Sequence, residues 1–322
     1  MLRYMTVRDV QKIIEAWAPK EIAWERDNVG LQVGSPEPEV KRILVCLDAT
    51  EGTIREAAAK RANLIISHHP LLFRPLRTVD LRDTEARCIE KLLSAGITLC
   101  SVHTNLDFTR AGTSFALAEK LGLAGVDFLH KDYRLSRKIV TFVPADHADR
   151  VAEAMGMAGA GRIGNYELCS FRSQGIGTFR GNESSTPTVG EKGKREHVEE
   201  IRLEMIAEKP KLNDILRAMI DAHPYEEVAY DVYPLENISQ EYGMGIIGDL
   251  PRRLSESQFV AHVKRMLGSK ALRYARGRRA HIHRVAACGG SGADLTAEAI
   301  RQGADAFVTA DVKYHGFHEA AG

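Results

Sequence analysis

The 322-residue chain lacks the features that mark membrane, secreted and nucleic-acid-coating proteins. It has no apolar run near the roughly 20 residues that span a bilayer, and residues 1–9 lack the apolar core of a signal peptide. Its 44 basic and 43 acidic residues leave a net charge of +1, so no overall field attracts nucleic acid or an anionic membrane. We therefore expect a cytoplasmic protein whose partners depend on local features.

Cysteine is scarce, with five residues scattered along the chain and no CxxC pair. This spacing argues against a disulfide framework and against a zinc site built from thiolates. Most of the cysteines stand in apolar segments, as Cys46 does within residues 43–47. We expect them to be buried small hydrophobic residues.

The first 125 or so residues alternate short apolar runs with helical patterns. Strands are predicted at 42–47, 64–66 and 97–102, with helices at 52–61 and 84–94 between them. Before them, Thr6 and Asp9 have the spacing of a capping box at the start of another helix. This rhythm predicts a largely parallel sheet covered by helices.

Histidine clusters follow two of these predicted strands. The pair His68 and His69 follows residues 64–66, and the sequence HTNLD, from His103 to Asp107, follows residues 97–102. Strand ends that face one crevice are where open α/β sheets bind ligands, and imidazole with carboxylate suits zinc, iron or manganese. Adjacent side chains leaving a strand diverge, so two ions are plausible. Alternatively, the histidine pair is structural and HTNLD is a helix cap or turn.

An internal repeat connects the two ends of the chain. Residues 42–67 align without gaps on residues 284–309, with identities that include Cys46 and Cys288, and the shared strand-helix-strand pattern predicts a duplicated unit. The second copy is followed by His315, which therefore stands at a comparable strand end. Four residues on, Glu319 would share a helix face with His315, as a ligand pair or as an ordinary solvated face.

The middle of the chain has a different order. Strands are predicted at 137–143, 166–171, 199–206 and 228–233, and helices at 145–157 and 211–222. This is a ferredoxin-like α+β domain at 129–238, inserted into a duplicated α/β outer domain formed by 1–128 and 239–322. Residues 175–193 predict a long mobile loop. The sequence HPYEE from His223 either carries chemistry or forms a turn whose His and Tyr pack against the outer domain.

Residues 262–284 form a basic stretch without acids. Such a stretch could contact a triphosphate or a nucleic acid. The alternative is a solvated helix and loop whose charge is balanced by acids elsewhere in the chain. Within it, His281 and His283 alternate as in a strand, and we expect them to flank a sheet edge and not to bind metal.

Taken together, the motifs resemble the Nif-three-like dinuclear-metal family, also known as GTP cyclohydrolase I type 2. The similarity covers nearly the whole chain and rests on WERDNVGLQVG from Trp24, SHHP from Ser67, HTNLD, HPYEE and DVKYH from Asp311. The chain departs from the family pattern at Ala310, where the family often has Gly, and at residues 112–114. Family members normally continue beyond the position of Gly322, so we expect a short second half with a frayed end at Glu319.

The resemblance implies a ligand set for two divalent ions, with a carboxylate bridging them: His68, His69, Asp107, His315 and Glu319. It also implies that the protein assembles into a toroidal homohexamer and that the insert is a PII/CutA-like domain. His103 would then orient a ligand without binding an ion. Zinc, iron, manganese and cobalt all suit these ligands.

The function that follows is a metal-dependent hydrolase acting on a nucleotide-like substrate. GTP cyclohydrolase activity is implied by the family name, with His103 as a proton shuttle. The alternative is a metal-binding or regulatory scaffold whose insert senses a small molecule or partner without turnover. Nucleic-acid binding through the basic stretch is a third possibility.

Overall fold

The computed structural model describes residues 4–131, 135–277 and 279–321, and the side chains of residues 319–321 lie outside this description. The chain divides into two compact units. The outer unit comprises Met1–Lys131 and Gln240–Gly322, and the inserted unit comprises Asp132–Ser239. Among the described residues, no helix combines the length and apolar character that crossing a bilayer requires.

The first half of the outer unit contains a four-stranded sheet of order β1-β4-β3-β2. β2, β3 and β4 are parallel, and β1 is antiparallel to β4. Its elements match the predicted alternation closely, and in chain order they are α1 (Val7–Trp17), β1 (Gly30–Val33), β2 (Ile43–Cys46), α2 (Glu51–Ala59), β3 (Leu64–Ser67), α3 (Thr84–Ser94) and β4 (Thr98–Ser101). The predicted capping box of Thr6 and Asp9 begins α1.

Both faces of this sheet are covered, which explains the continuous apolar run of β3. Leu64 packs on one face with Val7 and Val10 of α1. Ile65 packs on the other face with Ile54 of α2 and other residues of α2 and α3. A strand buried on both faces needs no polar alternation. This packing fixes the position of the polar residues that follow β3.

The second half of the outer unit contains a sheet of order β12-β11-β10-β5. β11 and β12 are parallel, and the other pairs are antiparallel. The elements are α4 (Thr104–Asp107), α5 (Thr113–Leu121), β5 (Ala124–Lys131), β10 (Gly243–Ser255), α8 (Glu256–Leu267), β11 (His281–Ser291), α9 (Thr296–Arg301), β12 (Ala306–Ala310) and α10 (Tyr314–Ala321). α5 and α8 pack on one face and α9 on the other. The sheet is therefore also a buried layer.

The two β-α-β segments that align in sequence have the same register. Ile43 pairs with Leu64, and at the equivalent positions Val285 pairs with Ala306. The turn side chains are also equivalent: Asn63 Oδ1 accepts from the Lys41 N–H at 2.8 Å, and Asp305 Oδ2 accepts from the His283 N–H at 2.9 Å. The similarity thus extends from the sequence to the backbone hydrogen bonds.

The inserted unit has the predicted β-α-β-β-α-β order. Its elements are β6 (Ser136–Pro144), α6 (Ala148–Met157), β7 (Phe171–Arg180), β8 (Arg195–Glu208), α7 (Leu212–Ala222) and β9 (Tyr230–Pro234). The antiparallel sheet has the order β7-β8-β6-β9. α6 and α7 pack against one face in a core that includes Ile139, Val151 and Ile215.

One predicted strand and one predicted loop of the inserted unit are wrong. The strand expected at 166–171 is replaced by β7, because Gly164 and Leu168 adopt positive φ angles of 57° and 55° and turn the chain first. The loop expected at 175–193 is shorter, since Gly175 and Gly177 lie within β7 and pair with β8. The glycines of this segment belong to a strand, and the side chain of Glu200 lies close to the backbone of one of them, Gly177.

The five cysteines are all free. Cys88 and Cys100 are buried as expected, whereas Cys46, Cys169 and Cys288 are only half-buried. Burial raises the pKa of Cys100 to about 12. A buried thiol with a raised pKa is a packing residue and a poor nucleophile.

Candidate metal centre

The two histidine motifs meet because they follow adjacent parallel strands. β3 and β4 end in register, with Ser67 paired to Ser101. The two serine hydroxyls are buried and 2.8 Å apart. His68 and His69 follow the first strand, and His103 follows the second. The predicted meeting of these motifs at one sheet edge is confirmed.

Each histidine of the first pair has its Nδ1 atom engaged. His68 Nδ1 lies 2.9 Å from the carbonyl oxygen of Val102, and His69 Nδ1 lies 2.8 Å from Asp48 Oδ1. A carbonyl or carboxylate oxygen can only accept, so both rings carry their proton on Nδ1. The Nε2 atom of each neutral ring is therefore free to act as a ligand.

His103 is held in the same way by a buried carboxylate. Its Nδ1 lies 2.9 Å from Asp27 Oδ1, and the backbone N–H of Thr104 donates to Asp27 Oδ2 at 3.1 Å. Burial opposes ionisation of Asp27, but the hydrogen bonds from His103 and Thr104 outweigh it and lower its pKa to about 2. The same hydrogen bond raises the pKa of His103, against the effect of burial. Asp27 is thus a permanent anion behind His103.

The HTNLD sequence also forms a short helical turn, as its alternative interpretation suggested, although His103 makes no side-chain capping hydrogen bond. His103 precedes α4, and Asn105 Oδ1 accepts from the His103 backbone N–H at 3.0 Å. The Asn105 amide donates to the carbonyl of Ala18 at 2.7 Å, and the residue is buried. The segment therefore forms a structural turn and also places His103 and Asp107 beside His68.

The three imidazoles form one group. One ring nitrogen from each of His68, His69 and His103 lies within 4.8 Å of the other two. The ring centroids are 5.0, 5.2 and 5.6 Å apart. The adjacent rings of His68 and His69 therefore do not diverge as expected. Three imidazoles whose Nδ1 protons point away from the group can each present the Nε2 lone pair that a divalent transition metal requires.

Asp107 adds a carboxylate beside this group. Its Oδ1 lies 3.8 Å from His68 Nε2 and accepts a hydrogen bond from the Thr113 hydroxyl. Burial raises the pKa of Asp107, although Thr113 and His68 oppose this effect. The end of β11 approaches here as well, since burial and the Asp107 charge raise the pKa of Cys288 to about 11. The second half of the outer unit thus reaches the same edge.

The structure places His315 on α10, as predicted. Its side chain is exposed, with its ring centroid 5.4 Å from that of Tyr314. It does not belong to the group of three histidines found among the described residues. Glu319 is on the same helix, but its side chain lies outside the described residues. The predicted ligand set is therefore only partly brought together.

Sequence reasoning missed the roles of Asp27 and Asp48. Both carboxylates fix the proton of a histidine on Nδ1, yet neither stands in a recognisable ligand pattern. Asp48 does follow the end of β2, so its position in the sequence indicates the same sheet edge as the two histidine motifs. Asp27 lies within the WERDNVGLQVG motif, and its partner His103 is 76 positions away.

Part of the basic stretch at 262–284 is paired with acids from other segments. In the basic stretch, Arg276 pairs with Glu256 at 3.2 Å and Arg279 pairs with Asp305 at 3.6 Å. This favours the interpretation of a solvated surface balanced by acids elsewhere. His283 lies in β11, as the alternation predicted, 3.8 Å from Asp249.

Known proteins resemble this chain over nearly its whole length. A "GTP cyclohydrolase 1 type 2 homolog" of Halalkalibacterium halodurans is 41% identical over 312 residues, covering 97% of this chain and 84% of the relative. The protein of the same name from Bacillus subtilis is 37% identical over 321 residues, covering 99% and 86%. Both relatives are thus similar to both units of this chain.

Solved structures are also similar to this chain over nearly its whole length. A Bacillus cereus protein related to NIF3 is 39% identical, with a TM-score of 0.84 and coverage of 99% of this chain and 85% of that one. A Staphylococcus aureus protein is 29% identical with a TM-score of 0.76 and the same coverage. The model of the Duf34/NIF3 (NGG1p interacting factor 3) family matches residues 5–322. The resemblance seen in the motifs is confirmed, and the chain belongs to the Duf34/NIF3 family.

Proposed function

We propose that the outer unit is a divalent-metal-dependent hydrolase acting on a nucleotide-like substrate. One observation carries this proposal: the Nδ1 protons of His68 and His69 are both held by outside acceptors, which leaves their Nε2 atoms available to metal ions at the edge where His103 also lies. Orientation of this kind is typical of metal-binding histidines. The relatives named GTP cyclohydrolase 1 type 2 homolog favour GTP as the substrate.

In this proposal two divalent ions are held by His68, His69, Asp107, His315 and Glu319. Such ions supply Lewis-acid activation of water at neutral pH. With GTP as substrate, one water would add to the imidazole carbon of the purine and open the ring to a formamide, and a second water would hydrolyse this formamide to formate and a free amine.

His103 is proposed to move a proton in this reaction. Asp27 fixes its other proton on Nδ1, so Nε2 is available to accept one from the attacking water and to return it to the leaving nitrogen. The buried anion stabilises the imidazolium that forms. A His103→Asn variant separates this role from metal binding: a shuttle variant keeps its metal and loses turnover, whereas a ligand variant loses both.

Formate release from GTP by metal-reconstituted protein tests the activity. The His68→Ala and His69→Ala variants should lose metal and turnover together. His283→Ala is the matched control, because this histidine lies in β11 and outside the group of three. Full metal occupancy without any turnover of GTP would rule out the cyclohydrolase.

Two further features belong to the same proposal. The outer unit is taken as a duplicated β-α-β fold, and the equal registers of the two copies support this. The inserted unit is taken as a ferredoxin-like, PII/CutA-like domain, and its strand order supports this.

We also propose that the protein assembles into a toroidal homohexamer. Light scattering should then give six times the chain mass of 35.6 kDa, and the monomer mass would contradict it.

A second candidate is a metal-binding or regulatory scaffold without turnover, whose inserted unit senses a small molecule. A cavity of about 660 Å³ in that unit favours it. Calorimetry with nucleotides and metals separates the two functions, since a scaffold binds without releasing formate.

A further inference from the structure

We propose that the inserted unit contains a binding site for a small organic cation, a protonated amine carried on an aromatic or apolar body. The site is a cavity of about 660 Å³ on the sheet face opposite α6 and α7. Ligand pockets are typically about 300–1,000 Å³. The proposal is independent of the metal centre.

The floor of the cavity carries a buried carboxylate. Glu200 of β8 is only 9% exposed, and its Oε1 accepts a hydrogen bond from the Tyr225 hydroxyl at 2.9 Å. No lysine, arginine or histidine of the described residues forms an ion pair with it. Burying a carboxylate without a cation costs free energy, so the site is complementary to a positive charge.

Gly177 makes room for this carboxylate. A Cβ atom at Gly177 would lie 2.0 Å from Glu200 Oε2, closer than any contact allows. Gly177 lies in β7 and pairs with Val198 of β8, so its backbone passes beside the acid. Only glycine fits here without displacing the Glu200 side chain. The carboxylate is thus accommodated by the strand next to it.

Aromatic rings surround the acid. Phe142, Phe179 and Tyr225 all line the cavity, and the rings of Phe179 and Tyr225 are 6.5 Å apart at 57°. Burial and Glu200 both raise the pKa of Tyr225, so its hydroxyl remains a donor to the acid. Aromatic faces attract organic cations and also pack against apolar groups. The aromatic walls therefore favour a ligand that has both a positive charge and an apolar body.

Residues of the loop at 181–189 line part of the cavity. The Thr186 backbone N–H donates to Glu226 Oε1 at 2.6 Å, and the Thr188 hydroxyl donates to the Pro224 carbonyl at 3.0 Å. The HPYEE turn therefore anchors the loop, and its Tyr225 faces the cavity. The described hydrogen bonds of His223 and Tyr225 lie within the inserted unit.

Two arginines line the cavity: Arg180 is exposed, and Arg202, which lies on the same strand face as Glu200, does not favour an anionic ligand. Arg202 donates to Glu204 at 2.8 Å and lies over the ring of Phe142 at 5.9 Å, so its charge is already compensated. Among the described residues, Glu200 has no cationic side chain paired with it, and its hydrogen-bond partner is the Tyr225 hydroxyl. The difference between these two neighbours on one strand face points to a cation and away from a phosphate or carboxylate.

The test uses the full chain and calorimetry with tyramine. Two analogues share its aromatic body: 4-ethylphenol has no charge, and 3-(4-hydroxyphenyl)propionate has a negative one. We expect tyramine to bind and each analogue to bind at least about tenfold more weakly. Glu200→Gln, which still accepts from Tyr225, should weaken tyramine binding to a similar degree. Glu227→Gln, at an exposed acid on the cavity rim, should change it less than about twofold.

Three results would overturn the proposal: no binding of tyramine at millimolar concentration, equal binding of the neutral analogue, or unchanged binding in Glu200→Gln. Circular dichroism checks that the variant is folded. The analogue series uses the unaltered protein, so it decides the question even where Glu200→Gln does not fold. Tyramine bound at the metal centre would be insensitive to Glu200 and would count against the site.

Discussion

Replacing Asp27 by Asn should destabilise the outer unit by about 2 kcal/mol near neutral pH. The Asp27 side chain is 1% exposed and accepts hydrogen bonds from His103 and Thr104. Its pKa falls from 3.8 to about 2 on folding. At about 1.36 kcal/mol per pKa unit, this shift corresponds to the stated free energy. An asparagine amide would also either point a donor at the Nδ1 proton of His103 or give up its bonds with Thr104.

The pH dependence of the cost of Asp27→Asn follows from the directions in which folding shifts the pKa values of Asp27 and His103. The lowered pKa of Asp27 gives stability that is present above its unfolded value and is lost as pH falls towards about 2. The raised pKa of His103 gives stability that is present below its unfolded value and is lost as pH rises through the folded one. The cost of Asp27→Asn should therefore be larger near about pH 5.5 than near about pH 8.5.

Urea unfolding of chelator-treated protein, followed by tryptophan fluorescence, measures this cost. Both tryptophans, Trp17 and Trp24, lie in the outer unit, so the signal reports that unit. Asp48→Asn is the matched control, because Asp48 makes a similar bond to His69 but its side chain is 55% exposed, and it should cost less than about 1 kcal/mol. Equal losses in the two variants, or a cost that grows with pH, would refute the reasoning.

Three other predictions concern the outer unit. Asp48→Ala should weaken metal binding about 10- to 100-fold, measured by competition with a chelator, because His69 loses its orienting partner. Leu92→Ala should cost about 3 kcal/mol in urea unfolding, since Leu92 is fully buried, whereas the neighbouring Leu93→Ala, at 59% exposure, should cost under about 0.5 kcal/mol. Thr50→Ala should cost about 1 kcal/mol by removing the capping box of α2. Unchanged metal affinity would contradict the first prediction. Equal losses of unfolding free energy in Leu92→Ala and Leu93→Ala would contradict the second, and an unchanged unfolding free energy in Thr50→Ala would contradict the third.

The arrangement of the first sheet could be predicted because it depends on local patterns. The run of Leu64 and Ile65 indicates a strand with two buried faces, and the apolar residues of the helices supply both coverings. The meeting of His68 and His103 then follows from parallel pairing alone. This part of the site needs no information beyond strand order.

The roles of Asp27 and Asp48 could not be predicted in this way. Each is a single acid in a polar connection, and its function depends on a partner 76 or 21 positions away. The error at β7 has a different cause. Leu168 adopts a left-handed conformation that its sequence does not indicate, and this shifts the start of the strand.

The three histidines of the candidate metal centre differ in how readily their basicity can be altered. His69 and His103 depend on carboxylates, which a single substitution can neutralise. His68 donates to the backbone carbonyl of Val102, and no side-chain replacement at position 102 removes that oxygen. A single substitution can therefore remove the Nδ1 acceptor of His69 or of His103, whereas the Nδ1 acceptor of His68 remains in every variant.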